Sequence, residues 1–175
     1  MNTEQRNNLA VLRDFLLTKN VRFDMCGYRT KIGYNPDGKI ELSMPELEGD
    51  PQNCGTAGCA LGWAPFVIPL LPSEYSLNNF DQLYSVEYVD YSERVFGVHG
   101  GTTAWDWMFS GFWQHLDNTR QGAAFRIQQI LDGMGQKHIE MFLADDYNEY
   151  YPNDDEVRKY FAERDAWLLT KGITL

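Results

Sequence analysis

The sequence predicts a mainly α fold of the α+β class: a single compact helical domain, residues 1–175, with one small N-terminal β-hairpin. Apolar residues recur at helical spacing in several segments, whereas strand-like patterning occurs only at about residues 28–43. The length of 175 residues, of which 43% are hydrophobic, is that of one domain with a packed core. These observations together predict the fold class.

The first predicted helix begins at Asn2 or Thr3, either of which can cap it. The apolar residues that recur along it are Leu9, Leu12, Phe15 and Leu16. Next along the chain, "YRTKIGY" and "KIELS" flank the sequence Asn35-Pro36-Asp37-Gly38, in which proline and glycine stand where a four-residue turn requires them. This pattern predicts the β-hairpin.

Further helices are predicted over the middle of the chain. One runs from Ser85 to Phe96 and ends at Gly97, and Thr102 or Thr103 caps a short aromatic helix. Asn118, with Gln121 three residues later, is typical of a capping box and opens another helix. Its predicted buried residues are Ala123, Ala124, Ile127, Ile130 and Leu131. The remainder, at about residues 136–175, is predicted to be an acidic helical segment whose last helix starts near Asn153 or Asp154.

The charge of the chain is −10 at pH 7 and is unevenly distributed. Residues 40–93 contain nine acids and no Lys or Arg, and residues 140–175 contain nine acids and four bases. Direct binding to nucleic acid is not expected, because neutralisation of phosphates by a basic face supplies most of that affinity. An acidic surface instead favours a basic partner. The alternative interpretation is that the acidic residues only keep the protein in solution.

The location expected from the sequence is the cytoplasm. The longest apolar run, Ala60–Leu71, has twelve residues and two prolines, whereas a membrane span needs about 20. The first ten residues lack the basic and apolar regions of a signal peptide. Three cysteines, an odd number, favour reduced thiols over a disulfide framework. No oligomeric state is indicated.

The stretch "QNCGTAGCALGWAP", residues 52–65, allows three interpretations. It places Cys54 and Cys59 near the start of a short helix that is predicted to end near Ala64, before Pro65. A structural zinc site would need four ligands, and no second pair of Cys or His residues occurs at short spacing in the sequence. We therefore expect neither a metal nor a cofactor.

A second interpretation makes one of these cysteines a nucleophile. The helix dipole would activate Cys54 or Cys59, and His99 would serve as the general base. The acidic surroundings oppose this, because negative charge raises the pKa of a thiol. The sequence therefore assigns no catalytic residue, and a cysteine-dependent hydrolase stays an alternative.

The third interpretation, which we favour, is a packing motif. Gly55, Gly58 and Gly62 fall on one helix face and would admit another backbone, while the cysteines act as small buried hydrophobes. The structural motif would consist of Gly55, Thr56, Gly58, Cys59, Gly62 and Trp63.

A candidate partner surface is formed by aromatic and acidic residues. The segment "WDWMFSGFW" is rich in aromatics that either belong to a core or face a partner. The acids lack the spacing of a calcium loop. The residues assigned to this surface are Trp105, Trp107, Trp113, Asp145, Asp146, Asp154 and Asp155.

The stretch from Cys54 to Pro65 resembles a group of small phage and bacterial proteins with the pattern Cys-Gly-Thr-x-x-Cys-x-x-Gly-His/Trp-Ala. The likeness extends to "RFDM", "FGV" and "AAFRIQQIL". The resemblance carries no activity with it and implies a cytosolic accessory protein of phage or prophage type, in the host cytoplasm if phage-encoded. The expected function is that of a non-enzymatic protein that binds a host or defence component through an acidic, aromatic-rich surface, as an anti-defence inhibitor does. An acidic DNA mimic is a further alternative.

Overall fold

The computed structural model describes residues 1–20, 23, 33–34, 40–41, 59–68, 85–114, 116–134 and 154–174. These ranges contain six α-helices and one 3₁₀ helix. In chain order they are α1 (Thr3–Thr18), α2 (Ala60–Val67), α3 (Ser85–Phe96), α4 (Thr103–Phe109), the 3₁₀ helix (Gly111–Gln114), α5 (Arg120–Leu131) and α6 (Asp154–Thr170).

The predicted α+β class is wrong in its β part. The described residues form a helical structure, and the strands in it are the two-residue segments β1 (Gly33–Tyr34) and β2 (Ile40–Glu41), which pair antiparallel. Strands in globular proteins usually have about five or six residues, and an isolated two-stranded ribbon is marginal in water. This pairing is therefore too short to count as the hairpin predicted at 28–43, whose other residues lie outside the described ranges.

Helix α1 begins where the sequence predicted. The Asn2 side chain accepts a hydrogen bond from Gln5 N at 2.9 Å, and the Gln5 side chain accepts one from Asn2 N at 2.8 Å. This reciprocal capping box satisfies two N–H groups that the first turn leaves without intrahelical partners. Leu9, Leu12 and Leu16 are completely buried, as their helical spacing indicates.

Helix α1 packs more extensively against α5 than any other two described helices pack against each other. The two helices are antiparallel: Arg6 donates to the carbonyl of Leu131 at the end of α5, and Arg120 at its start donates to the carbonyl of Lys19. Between these ends lie apolar residues of the core. They are Leu9, Leu12 and Leu16 on α1 and Ala123, Ala124 and Ile127 on α5.

The predicted end of α2 near Ala64 is wrong, because the helix continues through Pro65 to Val67. A proline beyond the first turn removes one backbone hydrogen bond and disfavours the helix, but the bonds of the following residues can still form. One such bond does form, since Ile68 N donates to Ala64 O at 2.9 Å. The helix also begins later than the glycine pattern suggested. Cys59 is its N-cap with extended backbone, so Gly62 lies in a helix that begins at Ala60, while Gly55 and Gly58 lie outside the described residues.

Three of the other predicted helix boundaries are confirmed and one shifts by a residue. Gly97 follows α3 with φ 65°, a conformation that glycine adopts without strain, and Thr102 caps α4. The cap of α5 is Thr119 and not Asn118, because the Thr119 hydroxyl accepts from Gly122 N at 2.9 Å. Helix α6 begins at Asp154, as predicted.

Candidate functional site

A cluster of polar side chains lies inside the apolar core between α5 and α6. Its members are Asp117, in the connection that precedes α5, Arg126 on α5, and Tyr160 and Arg164 on α6. The side chains of Asp117 and Arg126 have no exposed area. Burying an ionised group is unfavourable unless it is paired and hydrogen-bonded, so these residues make the strongest candidate site in the described part of the chain.

The hydroxyl of Tyr160 joins the two buried charges. It accepts a hydrogen bond from Arg126 Nη1 at 2.9 Å and donates one to Asp117 Oδ2 at 2.9 Å. Arg126 Nη1 and Asp117 Oδ2 are themselves 3.9 Å apart, beyond hydrogen-bond length. The phenol therefore mediates the contact between the two charges.

Both oxygens of the Asp117 carboxylate accept further hydrogen bonds or ion pairs. Arg164 Nη1 lies 3.1 Å from Oδ2, and the Thr119 hydroxyl donates to Oδ1 at 2.6 Å. Arg164 also contacts Asp165, at 2.7 Å through Nη2. The carboxylate is thus anchored by α6 on one side and by the N-cap of α5 on the other.

Gly122 makes room for this carboxylate at the first turn of α5. A Cβ atom added to Gly122 would lie 2.0 Å from Asp117 Oδ2, far inside van der Waals contact. A glycine at this position therefore permits the close approach of Asp117 to the helix. The glycine contributes close packing here, and its backbone conformation is an ordinary helical one.

Aromatic rings surround the cluster. The Arg126 guanidinium carbon lies 4.1 Å from the centre of a Trp113 ring, in cation–π geometry, and the Tyr160 ring stacks on Trp113 at 5.3 Å. Burial raises the pKa of Tyr160, and the charge of Asp117 adds to this shift while that of Arg126 opposes it. The phenol is consequently neutral at physiological pH and able to donate to Asp117.

The structure places Cys59 in the core as a capping group. Cys59 is 1% exposed, and its Sγ accepts a hydrogen bond from Gly62 N at 3.3 Å. His99, the candidate general base, has a side chain that is 65% exposed. Its Nδ1 lies 2.7 Å from Gly100 O, and its Nε2 lies 3.7 Å from Glu93 Oε2. Cys54 lies outside the described residues.

The motif residues that can be located are buried. Gly62 and Trp63 lie inside α2 and are buried, and Cys59 precedes them as the cap. Gly55, Thr56 and Gly58 lie outside the described residues.

The three tryptophans of the proposed partner surface lie in or against the core. Trp107 and Trp113 are 1% and 0% exposed, and Trp105 is partly buried. Each indole N–H reaches an internal acceptor: Gln129 Oε1 at 3.1 Å for Trp107, Asp106 O at 3.4 Å for Trp113 and Ser92 Oγ at 3.1 Å for Trp105. Buried tryptophans usually have such partners, so these three rings pack within the protein.

The acids of that surface divide into two groups. Asp154 and Asp155 are exposed in the first turn of α6, whereas Asp145 and Asp146 lie outside the described residues. Among the residues with described positions, no three His, Cys, Asp or Glu side chains are grouped so that they could hold a metal ion.

Sequence reasoning missed the buried cluster, although one signal for it was available. Arg126 stands in the apolar segment "AAFRIQQIL", where Ala123 and Ile130 share its helix face. A charged residue on an apolar face requires a partner. The partners Asp117, Tyr160 and Arg164 come from other elements, so no spacing in the sequence identifies them.

No protein-family model, curated protein or solved structure matches the chain. No helix within the described ranges is both long enough and apolar enough to cross a membrane.

Proposed function

We propose that the protein is a non-enzymatic accessory protein that binds a partner protein through the outward face of α6. The observation that carries the proposal is the composition of this face, which we define as Asp155, Ala162, Ala166 and Leu169. All four are exposed, and at 3.6 residues per turn they fall within an arc of about 60°. Leu169 is 64% exposed, the most of any described large apolar residue.

The outward face has the general anatomy of a protein interface. Its C-terminal part is formed by the exposed small and apolar side chains of Ala162, Ala166 and Leu169, and the exposed charged residues lie toward the N-terminal end of the helix: Asp154, Asp155, Arg158, Lys159 and Glu163. Interfaces typically combine a hydrophobic area with a polar one at its edge. Exposed apolar area next to polar residues marks interaction sites in soluble proteins.

The opposite face of α6 holds the helix in place. Tyr160 and Leu168 are buried, and Arg164 reaches the Asp117 carboxylate. Because α6 is already held against the core, its residues lose little further conformational entropy when a partner binds. The buried cluster therefore supports binding indirectly, because it presents the outward face on a rigid helix.

The proposed partner carries a basic surface. The Asp154 and Asp155 side chains are 91% and 92% exposed, and each lies 3.6 Å from an Arg158 nitrogen. Exposed ion pairs of this kind contribute little free energy, so a cation of the partner can replace Arg158. The net charge of −10 favours the same class of partner by long-range attraction. The resemblance to phage and bacterial proteins gives the context, in which the partner is a host or defence component in the cytoplasm.

The proposal is tested by affinity capture from bacterial lysate with quantitative mass spectrometry. We expect wild-type protein to retain a stoichiometric partner and Leu169→Glu and Asp155→Lys to lose most of it. Matched controls lie on α1: Val11→Glu alters another half-exposed apolar residue, and Glu4→Lys alters another first-turn acid. Because Glu4 and Asp155 both face a helix N-terminus, the two lysine variants lose similar dipole stabilisation.

Equal capture by the α6 variants and the α1 controls would refute the outward face as the binding surface. A captured partner that duplex DNA elutes competitively would support the DNA-mimic alternative instead.

Thiol labelling distinguishes the cysteine-dependent hydrolase from the non-enzymatic binding protein. Iodoacetamide should modify Cys59 slowly at pH 6–7, because the thiol is buried and caps α2, whereas a catalytic thiolate reacts faster than a free thiol. Mapping the adduct by mass spectrometry gives the rate at Cys59. Rapid modification in the folded protein would favour the hydrolase.

A further inference from the structure

Helix α6 is held by fewer helices than α1 is. Helix α1 packs against α2, α3 and α5, whereas α6 packs mainly against α5 among the described helices. The Phe125 ring of α5 lies 5.6 Å from the rings of both Tyr160 and Trp167, and Tyr160 also stacks on Trp113. We call this contact the α6 seam and define it by its residues: Trp113, Asp117, Phe125, Arg126, Tyr160, Arg164 and Trp167.

The α6 seam contains charged groups that are largely removed from water. The side chains of Asp117 and Arg126 have no exposed area, and that of Arg164 is 14% exposed. One carboxylate oxygen of Glu156, one turn before Tyr160 on α6, is buried as well. The attraction between buried charges offsets little more than the cost of removing them from water. The charges of the seam therefore add little net free energy to the docking of α6, although removing one of them alone is costly.

Water would reach these groups if α6 moved away. Arg126 Nε and Nη2 have no hydrogen-bond partner among the residues that the structure describes. Arg126 Nη1 lies 3.9 Å from Asp117 Oδ2, and the Tyr160 hydroxyl bonds to both. Neither Arg126 nor Asp117 belongs to α6, so without α6 both can be hydrated and can approach each other directly. An open state thus recovers interactions that the closed seam lacks.

The contact between α1 and α5 has no such compensation. It buries leucines of α1 against alanines and an isoleucine of α5, and exposing apolar surface to water is unfavourable. Proteins open in cooperative units, and the units with few buried apolar contacts open at the lowest free energy. The two contacts of α5 therefore differ in how readily they open, and the α6 seam is the weaker one.

We propose that α6 opens from the α6 seam as a unit while α1 and α5 stay folded, and that the Tyr160 hydroxyl is the latch that holds it closed through Asp117 and Arg126. Opening also controls the outward face, a consequence that rests on the proposed function. Most helical stability in proteins comes from tertiary packing, so the open segment loses the helical arc that forms this face. A partner bound to the outward face therefore stabilises the closed state.

The opening is tested by native-state hydrogen exchange of the full chain, followed by NMR at neutral pH in increasing urea below the unfolding transition. We expect the amides of residues 161–168 to exchange at least about tenfold faster than those of residues 123–130, with one common and smaller urea dependence. Equal rates and urea dependences in α6 and α5 would overturn the proposal, because α6 would then open only in global unfolding. Rates in α6 without a common urea dependence would indicate fraying and would overturn it too.

Two matched variants test the latch. Tyr160→Phe should accelerate exchange of the α6 amides by about tenfold, because it removes the bridging hydroxyl. Tyr91→Phe removes a hydroxyl that donates to Ile68 O, a bond that the open state keeps, so it should accelerate α5 amides more than α6 amides. Unchanged α6 exchange in Tyr160→Phe, or equal acceleration of both helices in Tyr91→Phe, would contradict the proposal. If a variant does not fold, the wild-type urea series decides. Because the exchange experiment needs no partner, its failure is distinguishable from that of the proposed function.

Discussion

Two of the neighbours of helix α5, namely α1 and α6, contact it through different chemistry. Toward α1 it presents Ala123, Ala124 and Ile127 to a core that also contains leucines of α1. Toward α6 it presents the Phe125 ring, which packs against Tyr160 and Trp167. It also presents Arg126, which donates to the Tyr160 hydroxyl and forms the ionic contact with Asp117. The apolar contact and the ionic contact lie on the same twelve-residue helix.

This difference in chemistry determines how much stability each contact loses when one of its side chains is replaced. Apolar packing is non-directional, so its loss scales with the volume removed. The ionic contact depends on each member, because removing one leaves the other charges buried without compensation. We therefore expect the ionic contact to be the more sensitive of the two, and the following predictions are ordered by the size of the expected effect.

The largest effect is expected from Asp117→Asn. The variant keeps the shape of the side chain but removes the negative charge that faces Arg126 and Arg164, and breaking a buried ion pair costs about 3–5 kcal/mol. Urea denaturation measures the free energy of unfolding. The control is Asp132→Asn, at the exposed C-cap of α5, where a change within about 0.5 kcal/mol is expected. Similar midpoints for both variants would contradict the role of Asp117.

The apolar contact is tested by Leu12→Ala on α1. Leu12 is completely buried, and such truncations cost about 2–5 kcal/mol through lost transfer energy and the remaining cavity. We expect about 3 kcal/mol, measured in the same urea experiment. A loss larger than that of Asp117→Asn would reverse the order of the two contacts.

Tyr160→Phe isolates the bridging hydroxyl. The ring can still stack on Trp113, but Asp117 Oδ2 loses one donor and Arg126 Nη1 loses its acceptor. Leaving such groups unsatisfied costs about 1–3 kcal/mol. A free energy of unfolding equal to that of wild type would contradict this prediction. It would mean that a direct contact between Arg126 and Asp117 replaces the one through the Tyr160 hydroxyl.

The same variant predicts a difference in alkaline stability. Burial raises the pKa of Tyr160 above the ordinary value of 10.0, so the unfolded chain ionises at this residue before the folded protein does. The folded state therefore loses stability as pH rises above 10.0, by about 1 kcal/mol at pH 11 from this group. Denaturation at pH 9 and pH 11 should show a steeper fall for wild type than for Tyr160→Phe, since the other tyrosines are common to both. Parallel slopes would contradict the prediction.

The sequence predicted local features well where neighbouring residues decide them. The capping box of Asn2 and Gln5, the end of α3 at Gly97 and the cap of α4 at Thr102 all depend on residues within one turn. The cap of α5 was wrong by one position because Asn118 and Thr119 are both good caps. Asp117 favours Thr119, whose hydroxyl bonds to its carboxylate.

Features that depend on distant residues were not predictable. Pro65 predicts the end of α2, yet α2 continues to Val67, and the Tyr91 hydroxyl of α3 donates to the carbonyl of Ile68 just beyond it. The tryptophans of α4 and of the 3₁₀ helix fit a core or a surface equally well by spacing. In the structure they pack in or against the core, where other elements supply acceptors for their N–H groups, such as Gln129 of α5 for Trp107.

By itself, the sequence determined the mainly helical character of the described part, the starts of α1, α4 and α6, and the negative charge. Helical spacing and capping act over a few residues, so they can be read along the chain. Only the tertiary structure decided that Asp117, Arg126, Tyr160 and Arg164 meet. Hydrogen bonds and ion pairs have contact range, and their members come from segments that only the packing of α5 against α6 brings together.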